Sequence, residues 1–416
     1  MQHIIIGAGP AGVIAAEVLR KSDPDADIAI IGDEPEPPYS RMAIPYYLMD
    51  NIDESGSYLR DPEKHYSALN IEVVQQRVDK INTAGKTITL ADGSSRSYDK
   101  LLIATGSRPI SPPIPGLDLP QVHSCWTLED ARNIIRLAQP GSNVVLIGAG
   151  FIGCIILEAL VKRGVKLTVV ETGNRMVPRM LNDKAGGLLE QWCKNQGIDV
   201  HTSCSVESVT RSGDEVEVAL SDGNKLPAVL VITATGVKAN IEMLAGTDID
   251  TDQGVLVNKH MQSSNADVYA AGDVAQGVDF STGKQEVQAI QPTAVDHGRI
   301  AALNMVGPSD EHQGTLNMNI LDTVGLISCS FGLWMGVEGG DQAELYNPEE
   351  FQYINLQFDG ELLVGASSVG KTQHIGVLRG LIESKIELGA WKERLMRDPT
   401  AIMEAYMACT QELGYA

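Results

Sequence analysis

The sequence predicts an α/β protein built on two parallel sheets with an α+β segment behind them. Two observations carry this: one glycine pattern occurs twice, and each copy sits between a short β-branched run and a helical stretch. The first copy, Gly7-Ala8-Gly9-Pro10-Ala11-Gly12, follows His3-Ile4-Ile5-Ile6. The second, Gly148-Ala149-Gly150-Phe151-Ile152-Gly153, follows Val144-Val145-Leu146-Ile147. Both runs read as buried parallel strands. Gly7 and Gly148 permit a tight turn, Gly9 and Gly150 let a pyrophosphate approach the backbone, and Gly12 and Gly153 let the following helix pack on its strand. The helix N-terminus then faces the phosphates. Such a unit ends its second strand on an acid that binds ribose hydroxyls. Ile28-Ala29-Ile30-Ile31-Gly32 runs into Asp33 and Glu34, and Leu167-Thr168-Val169-Val170 runs into Glu171. The chain is therefore expected to hold two dinucleotides.

Composition narrows the class. A chain of 416 residues has room for two or three domains. The first strand starts near the second residue, leaving no leader peptide, and no apolar run reaches about 18 residues, so the expectation is a cytoplasmic protein without a transmembrane segment. A formal charge of -22 argues against nucleic acid or an anionic membrane surface as a partner. Cys125, Cys154, Cys193, Cys204, Cys329 and Cys409 contain no C-x-x-C pair, so neither a zinc site nor a disulfide framework is indicated. The histidines are dispersed. His297, His374 and the others read as hydrogen-bonded or surface groups, and no metal site is expected.

Further motifs follow in a fixed order. Leu101-Leu102-Ile103-Ala104-Thr105-Gly106-Ser107-Arg108-Pro109 comes after the first fingerprint, Val231-Ile232-Thr233-Ala234-Thr235-Gly236 after the second, and Val268-Tyr269-Ala270-Ala271-Gly272-Asp273 last. With these the chain resembles the FAD-dependent pyridine nucleotide-disulfide oxidoreductase superfamily over nearly its whole length. The resemblance implies two Rossmann-like domains, with an NAD-binding domain (113–245) inserted in a discontinuous FAD-binding domain (1–112 and 246–315). A C-terminal α+β interface domain (316–416) follows, which in the family commonly supports dimerisation. Strand-like stretches at Phe351–Leu356 and Leu362–Val364 and a helical pattern from Gly376 to about Tyr406 fit that segment. The resemblance assigns FAD contacts to Gly7, Gly9, Pro10, Ala11, Gly12, Asp33, Glu34, Arg41, Ala104, Thr105, Gly106, Gly272 and Asp273, whose carboxylate would bind the ribityl chain. It places Gln291, Pro292 and Thr293 at the pyrimidine end of the flavin, where the N-terminus of the next helix would stabilise negative charge. NAD contacts fall to Gly148, Gly150, Phe151, Ile152, Gly153, Glu171, Thr235 and Gly236. Phe151 would gate the nicotinamide pocket. Glu171 accepts from a free 2′-hydroxyl and repels a 2′-phosphate, so NADH is preferred over NADPH; Arg175 is the one cation near enough to alter that preference.

What is missing points to the reaction. Disulfide reductases of the superfamily carry a redox cysteine pair after the first strands, and the stretch Pro38-Tyr39-Ser40-Arg41-Met42-Ala43-Ile44-Pro45-Tyr46-Tyr47-Leu48 has no cysteine. Thiol-based chemistry is thereby disfavoured. The stretch is closer to the reductases of rubredoxin, ferredoxin-type proteins and nitrite reductase. Those relatives often put a lysine where Tyr46 stands and a glutamate where Ile155 stands, and the joint loss avoids leaving one buried ion without its partner. Tyr46 is expected to cover part of the flavin site, with ordinary packing as its alternative. Trp126 stands where relatives often carry an arginine near the FAD; stacking there and core packing are both open to it.

The expected activity is transfer of hydride from NADH to FAD, then of single electrons to an iron-sulfur or other redox protein, either as a homodimer or as a subunit of a larger complex. Arg41, Arg60 and Lys64 are the candidates for a basic patch that would receive an acidic carrier, and Trp334, Trp391 and Tyr406 are candidate interface aromatics. A peroxide-forming NADH oxidase and an NADH-responsive redox sensor are the alternatives.

Overall fold

A computed structural model describes residues 1–307 and 310–413, so the last three residues of the C-terminal segment lie outside the description. The chain divides into two compact units. The first comprises Met1–Ile110, Trp126–Leu128 and Val237–Thr315, and the second Ser111–Cys125, Glu129–Gly236 and Leu316–Ala416.

The first unit is organised by a five-stranded parallel sheet in the order Val268–Ala270, Lys100–Ile103, Gln2–Ile6, Asp27–Gly32, Ile71–Gln75. The central strand pairs Ile5 with Ile30 on one side and with Leu102 on the other. Ile4, Ile5 and Ile6 are all buried, as a strand covered on both faces requires. Each such side chain contributes about 1.5–3 kcal/mol of burial. Between the first two strands runs the helix Pro10–Ser22, with proline in its first turn and Arg20 and Lys21 in its last. It crosses the helix Gln291–Val306 so closely that a Cβ on Gly298 would lie 2.3 Å from the Ala11 carbonyl oxygen. Three antiparallel strands, Val78–Asn82, Thr87–Leu90 and Ser95–Ser97, form a second sheet.

The chain rejoins this unit at Val237, ahead of the boundary at residue 246 that the sequence suggested. The cause is a short antiparallel pairing of Val237–Ala239 with Ser107–Pro109, reinforced by Asn240, whose backbone N–H donates to the Gly106 carbonyl.

The second unit repeats the plan. Its parallel sheet has the order Asp199–His201, Lys166–Val170, Asn143–Ile147, Leu230–Thr233, Val122–Ser124, with the helix Phe151–Lys162 after the central strand. Val206–Ser212, Glu215–Leu220 and Lys225–Ala228 form an antiparallel sheet. The C-terminal segment belongs to the same unit and is built on a five-stranded antiparallel sheet: Met318–Thr323, Leu326–Gly332, Leu362–Val369, Gln352–Asp359 and Asp341–Asn347. Helices Ile375–Ser384, Ala390–Arg397 and Ile402–Leu413 follow, so the helical stretch ends beyond Tyr406. Asn182, which caps the helix Asp183–Asn195, also donates to the hydroxyl of the buried Tyr353 in the C-terminal sheet. No helix among the described residues is long and apolar enough to cross a membrane.

Candidate functional sites

In the first unit the fingerprint makes a cradle. Gly7 has φ +120°, and a Cβ there would sit 2.0 Å from the Ala104 carbonyl oxygen, so only glycine fits. Around a Cβ on Gly9, by contrast, nothing lies within 4 Å. Gly9 is the N-cap of the helix Pro10–Ser22 and gives it no side-chain cap, which leaves the first-turn N–H groups facing that open space. The half-buried Pro10 and the buried Ala11 and Gly12 form the first turn. Thr105 and Gly106 continue the cradle, with the Thr105 hydroxyl donating to the Asn240 carbonyl at 2.8 Å. Gly272, at φ +77°, turns the chain between Ala11 and Ala294 and delivers Asp273. Ser107 Oγ donates to Asp273 Oδ2 at 2.8 Å, and burial raises the carboxyl's pKa above the ordinary aspartate value.

The two acids after the second strand differ in environment. Asp33 is exposed, and its carboxylate is open to a ribose. Glu34 is already engaged: Arg41 Nη2 donates to its Oε1 at 2.5 Å and the Tyr39 hydroxyl to its Oε2 at 2.6 Å. Each Glu34 oxygen accepts one of these bonds and keeps a lone pair for a further donor. Gln291 accepts from Ser40 Oγ at 2.5 Å, and Pro292 and the buried Thr293 open the helix that carries His297. Tyr46 lies on the short helix Ile44–Leu48 and is 54% exposed, which sets aside its reading as a core residue.

In the second unit Gly148 (φ +101°) would bring a Cβ to 2.5 Å from the Ala234 carbonyl oxygen, whereas Gly150 again opens onto free space. Phe151 and Ile152 are half-buried at the helix start, and Thr235 is exposed beside Gly236. The Glu171 carboxylate accepts the backbone N–H of Ala149 at 2.7 Å and of Gly173 at 2.7 Å, which fastens the acid to the fingerprint turn. The Ala149 carbonyl in turn accepts the Val177 N–H at 2.8 Å, with Val177 held at φ +42°, a strained region for a β-branched residue. Arg175 does not reach outward. Its guanidinium donates to Leu181 and Pro178 carbonyls, Asn174 Oδ1 and Asp183 Oδ1, so this cation clasps its own loop.

All six cysteines are buried and none is in a disulfide. Burial raises the thiol pKa values of Cys125 and Cys154 and takes those of Cys193 and Cys329 up to about 12, far from a reactive thiolate. Among the described residues no histidine, cysteine and acid cluster can hold a metal. Each residue of the expected basic patch has a carboxylate near it: Arg41 pairs with Glu34, Arg60 with Glu17, and the exposed Lys64 lies 3.9 Å from Asp61. Ser107, Asn240 and Val177 have no role assigned by the sequence. Ser107 at least lies inside a recognised motif, whereas Val177 carries no sequence signal.

These features agree with the comparisons. The pyridine nucleotide-disulphide oxidoreductase family matches residues 1–298. The epsilon subunit of NADH-dependent phenylglyoxylate dehydrogenase from Aromatoleum evansii is 29% identical over 415 residues, covering 98% of both chains. An NADH oxidase from Methanocaldococcus jannaschii is 33% identical over 328 residues, 76% of this chain and 72% of that one. Among solved structures, putidaredoxin reductase in covalent complex with putidaredoxin superposes with a TM-score of 0.90 at 25% identity, covering 98% of this chain and 99% of that one. The chain belongs to the pyridine nucleotide-disulphide oxidoreductase family. It is an oxidoreductase, with FAD and a pyridine dinucleotide as its cofactors.

Proposed function

We propose that the protein carries electrons between NADH and a redox protein by way of FAD, in the cytoplasm and as a subunit of a larger assembly or a homodimer. The carrying observation is two complete dinucleotide cradles in one chain whose cysteines are all buried. The first unit would hold FAD through Gly7, Gly9, Gly12, Asp33 and Asp273, and the second would hold NADH through Gly148, Gly150, Gly153 and Glu171. Bound FAD supplies the conversion of a two-electron hydride into single electrons. The protein's residues orient the two cofactors; no thiol, metal or general base is asked for. Arg175 is spent on its own loop, which leaves the preference between NADH and NADPH to Glu171.

The charge pattern supports a bound partner over a steered one. With Arg41, Arg60 and Lys64 each paired to a carboxylate, little remains to attract an acidic carrier against a charge of -22. The relative that matches from end to end is named as a subunit. An NADH oxidase is the second reading, favoured by the likeness to the archaeal enzyme. Without an accessible thiol to handle peroxide, its product would be hydrogen peroxide.

The test is anaerobic addition of NADH, then NADPH, to the flavin-loaded protein while the visible band is followed, with oxygen and iron-sulfur carriers added afterwards. Bleaching by NADH and rapid recovery with an iron-sulfur protein but slow recovery in oxygen is the expected result. Fast recovery in oxygen moves the function to an oxidase. Bleaching followed by slow reoxidation with every acceptor, together with a change in molecular size on adding NADH, would favour the redox sensor. If NADH does not bleach the band at all, the enzyme reading fails.

A further inference from the structure

Trp126 has a set of contacts that core packing does not explain. The chain leaves the first unit after Ile110 and returns at Val237, yet three residues in between, Trp126–Leu128, belong to the first unit. Trp126 is only half-buried there. Its indole Nε1–H donates to the Ser107 carbonyl at 2.9 Å, and its own carbonyl accepts from Arg41 Nη1 at 2.6 Å. The Arg41 guanidinium carbon lies 5.4 Å from the Trp126 ring and 5.5 Å from the Tyr39 ring. A core tryptophan is held by apolar neighbours; this one is held by a cation and two carbonyl bonds.

Those bonds join two places that the fold otherwise keeps apart in sequence. Arg41 is tied to Glu34, next to the exposed Asp33 at the end of the second strand. Ser107 presents its hydroxyl to Asp273. A continuous path therefore runs Glu34, Arg41, Trp126, Ser107, Asp273, in which Trp126 meets Arg41 through its main-chain carbonyl and the face of its ring and meets Ser107 through its indole N–H. The Arg41 charge also reaches Asp273 directly and favours its carboxylate, so the indole adds a fixed geometry to an electrostatic coupling that already exists.

We infer that Trp126 is a positioning residue of the FAD site, fixing Arg41 at one end and the Ser107–Asp273 pair at the other so that both are preorganised for the cofactor. This rests on the reading that the first unit holds FAD. Preorganisation lowers the ordering cost of binding, so loss of the link should appear in FAD affinity before it appears in the fold.

The test uses full-length apoprotein titrated with FAD and followed by flavin fluorescence, with the melting midpoint recorded with and without FAD. Trp126→Phe keeps a ring beside Arg41 but loses the Nε1–H donor, and Trp126→Leu loses both. The expected FAD dissociation constants rise about threefold and at least about tenfold respectively, scaled from the loss of one hydrogen bond and of a cation–π contact. The apoprotein midpoint should hold while the FAD-induced rise in midpoint shrinks. Wild-type affinity in both variants overturns the inference, as does an apoprotein destabilised as much as the FAD-bound form. A wild-type apoprotein that binds no FAD would instead overturn the assignment of the first unit, a result visible before any variant is made.

Discussion

Acid should weaken the first unit through His297. This residue lies on the helix Gln291–Val306, is 3% exposed, and meets His312 edge-on with ring centroids 4.6 Å apart. Burial, and then the neighbouring His312, lower its pKa from 6.5 to about 3. Because the folded value lies below the unfolded one, the unfolded chain binds the proton more readily. Stability from this group is full above about pH 6.5 and is lost progressively as pH falls towards about 3. Between pH 7 and pH 5 the linkage relation gives a loss of about 2 kcal/mol. The same helix carries Gly298 against Ala11, in the first turn after the Gly9 cradle, so the loss should also loosen FAD. The assay is urea unfolding of wild type and His297→Leu at both pH values, with FAD release followed by fluorescence. The variant should lose about 2 kcal/mol less than wild type over this range. His3, whose pKa is also lowered by burial, adds to the slope in both proteins and cancels in the comparison. Equal acid slopes in the two proteins would refute the reasoning.

Other perturbations separate shape from binding. Gly150→Ala meets no atom within 4 Å and should leave the melting midpoint unchanged while raising KM for NADH about tenfold by crowding the phosphates; Gly148→Ala, at φ +101° with a clash 2.5 Å away, should lower the midpoint outright. Steady-state kinetics and thermal melts on the pair distinguish these outcomes. Arg175→Ala should leave the NADPH to NADH preference unchanged, since its guanidinium serves the loop, but destabilise the protein by about 1–3 kcal/mol. Electron delivery to the redox partner should change less than about threefold between low salt and physiological salt, because Arg41, Arg60 and Lys64 are each paired. Iodoacetamide at neutral pH should leave NADH-driven flavin reduction intact, as all six thiols are buried; loss of activity at the rate of alkylation would restore a role for cysteine.

Local patterns in the chain announce the two parallel sheets because their causes are local. A run such as His3–Ile6 is buried on both faces, and a glycine at Gly7 or Gly148 is required by one backbone oxygen at close range, so strand and turn are written in neighbouring residues. The return to the first unit was misplaced for the opposite reason. Val237–Ala239 pairs with Ser107–Pro109 across more than a hundred residues, and three residues of strand carry too little periodicity to reveal a partner so distant. The partner of Arg60 is hidden in the same way: it finds Glu17 through tertiary packing, not through spacing on one helix.

Arg175 and Val177 show why the details of a site are harder still. Four residues after Glu171, an arginine looks available for a 2′-phosphate, and only the path of the loop turns it onto Leu181, Pro178 and Asp183. Val177 is the least legible residue of all, since β-branching argues against the left-handed backbone it adopts. The strain persists because it places the Val177 N–H on the Ala149 carbonyl, while Glu171 takes the Ala149 N–H. Ala149, the second residue of the second fingerprint, is thus held on both sides, and the open space at Gly150 keeps its shape before any nucleotide arrives. Val177→Gly relaxes the strain but also empties a buried position, so it is expected to lower the melting midpoint and to raise KM for NADH at unchanged kcat; a variant that binds NADH as well as wild type would show that the strained turn has no part in holding the dinucleotide.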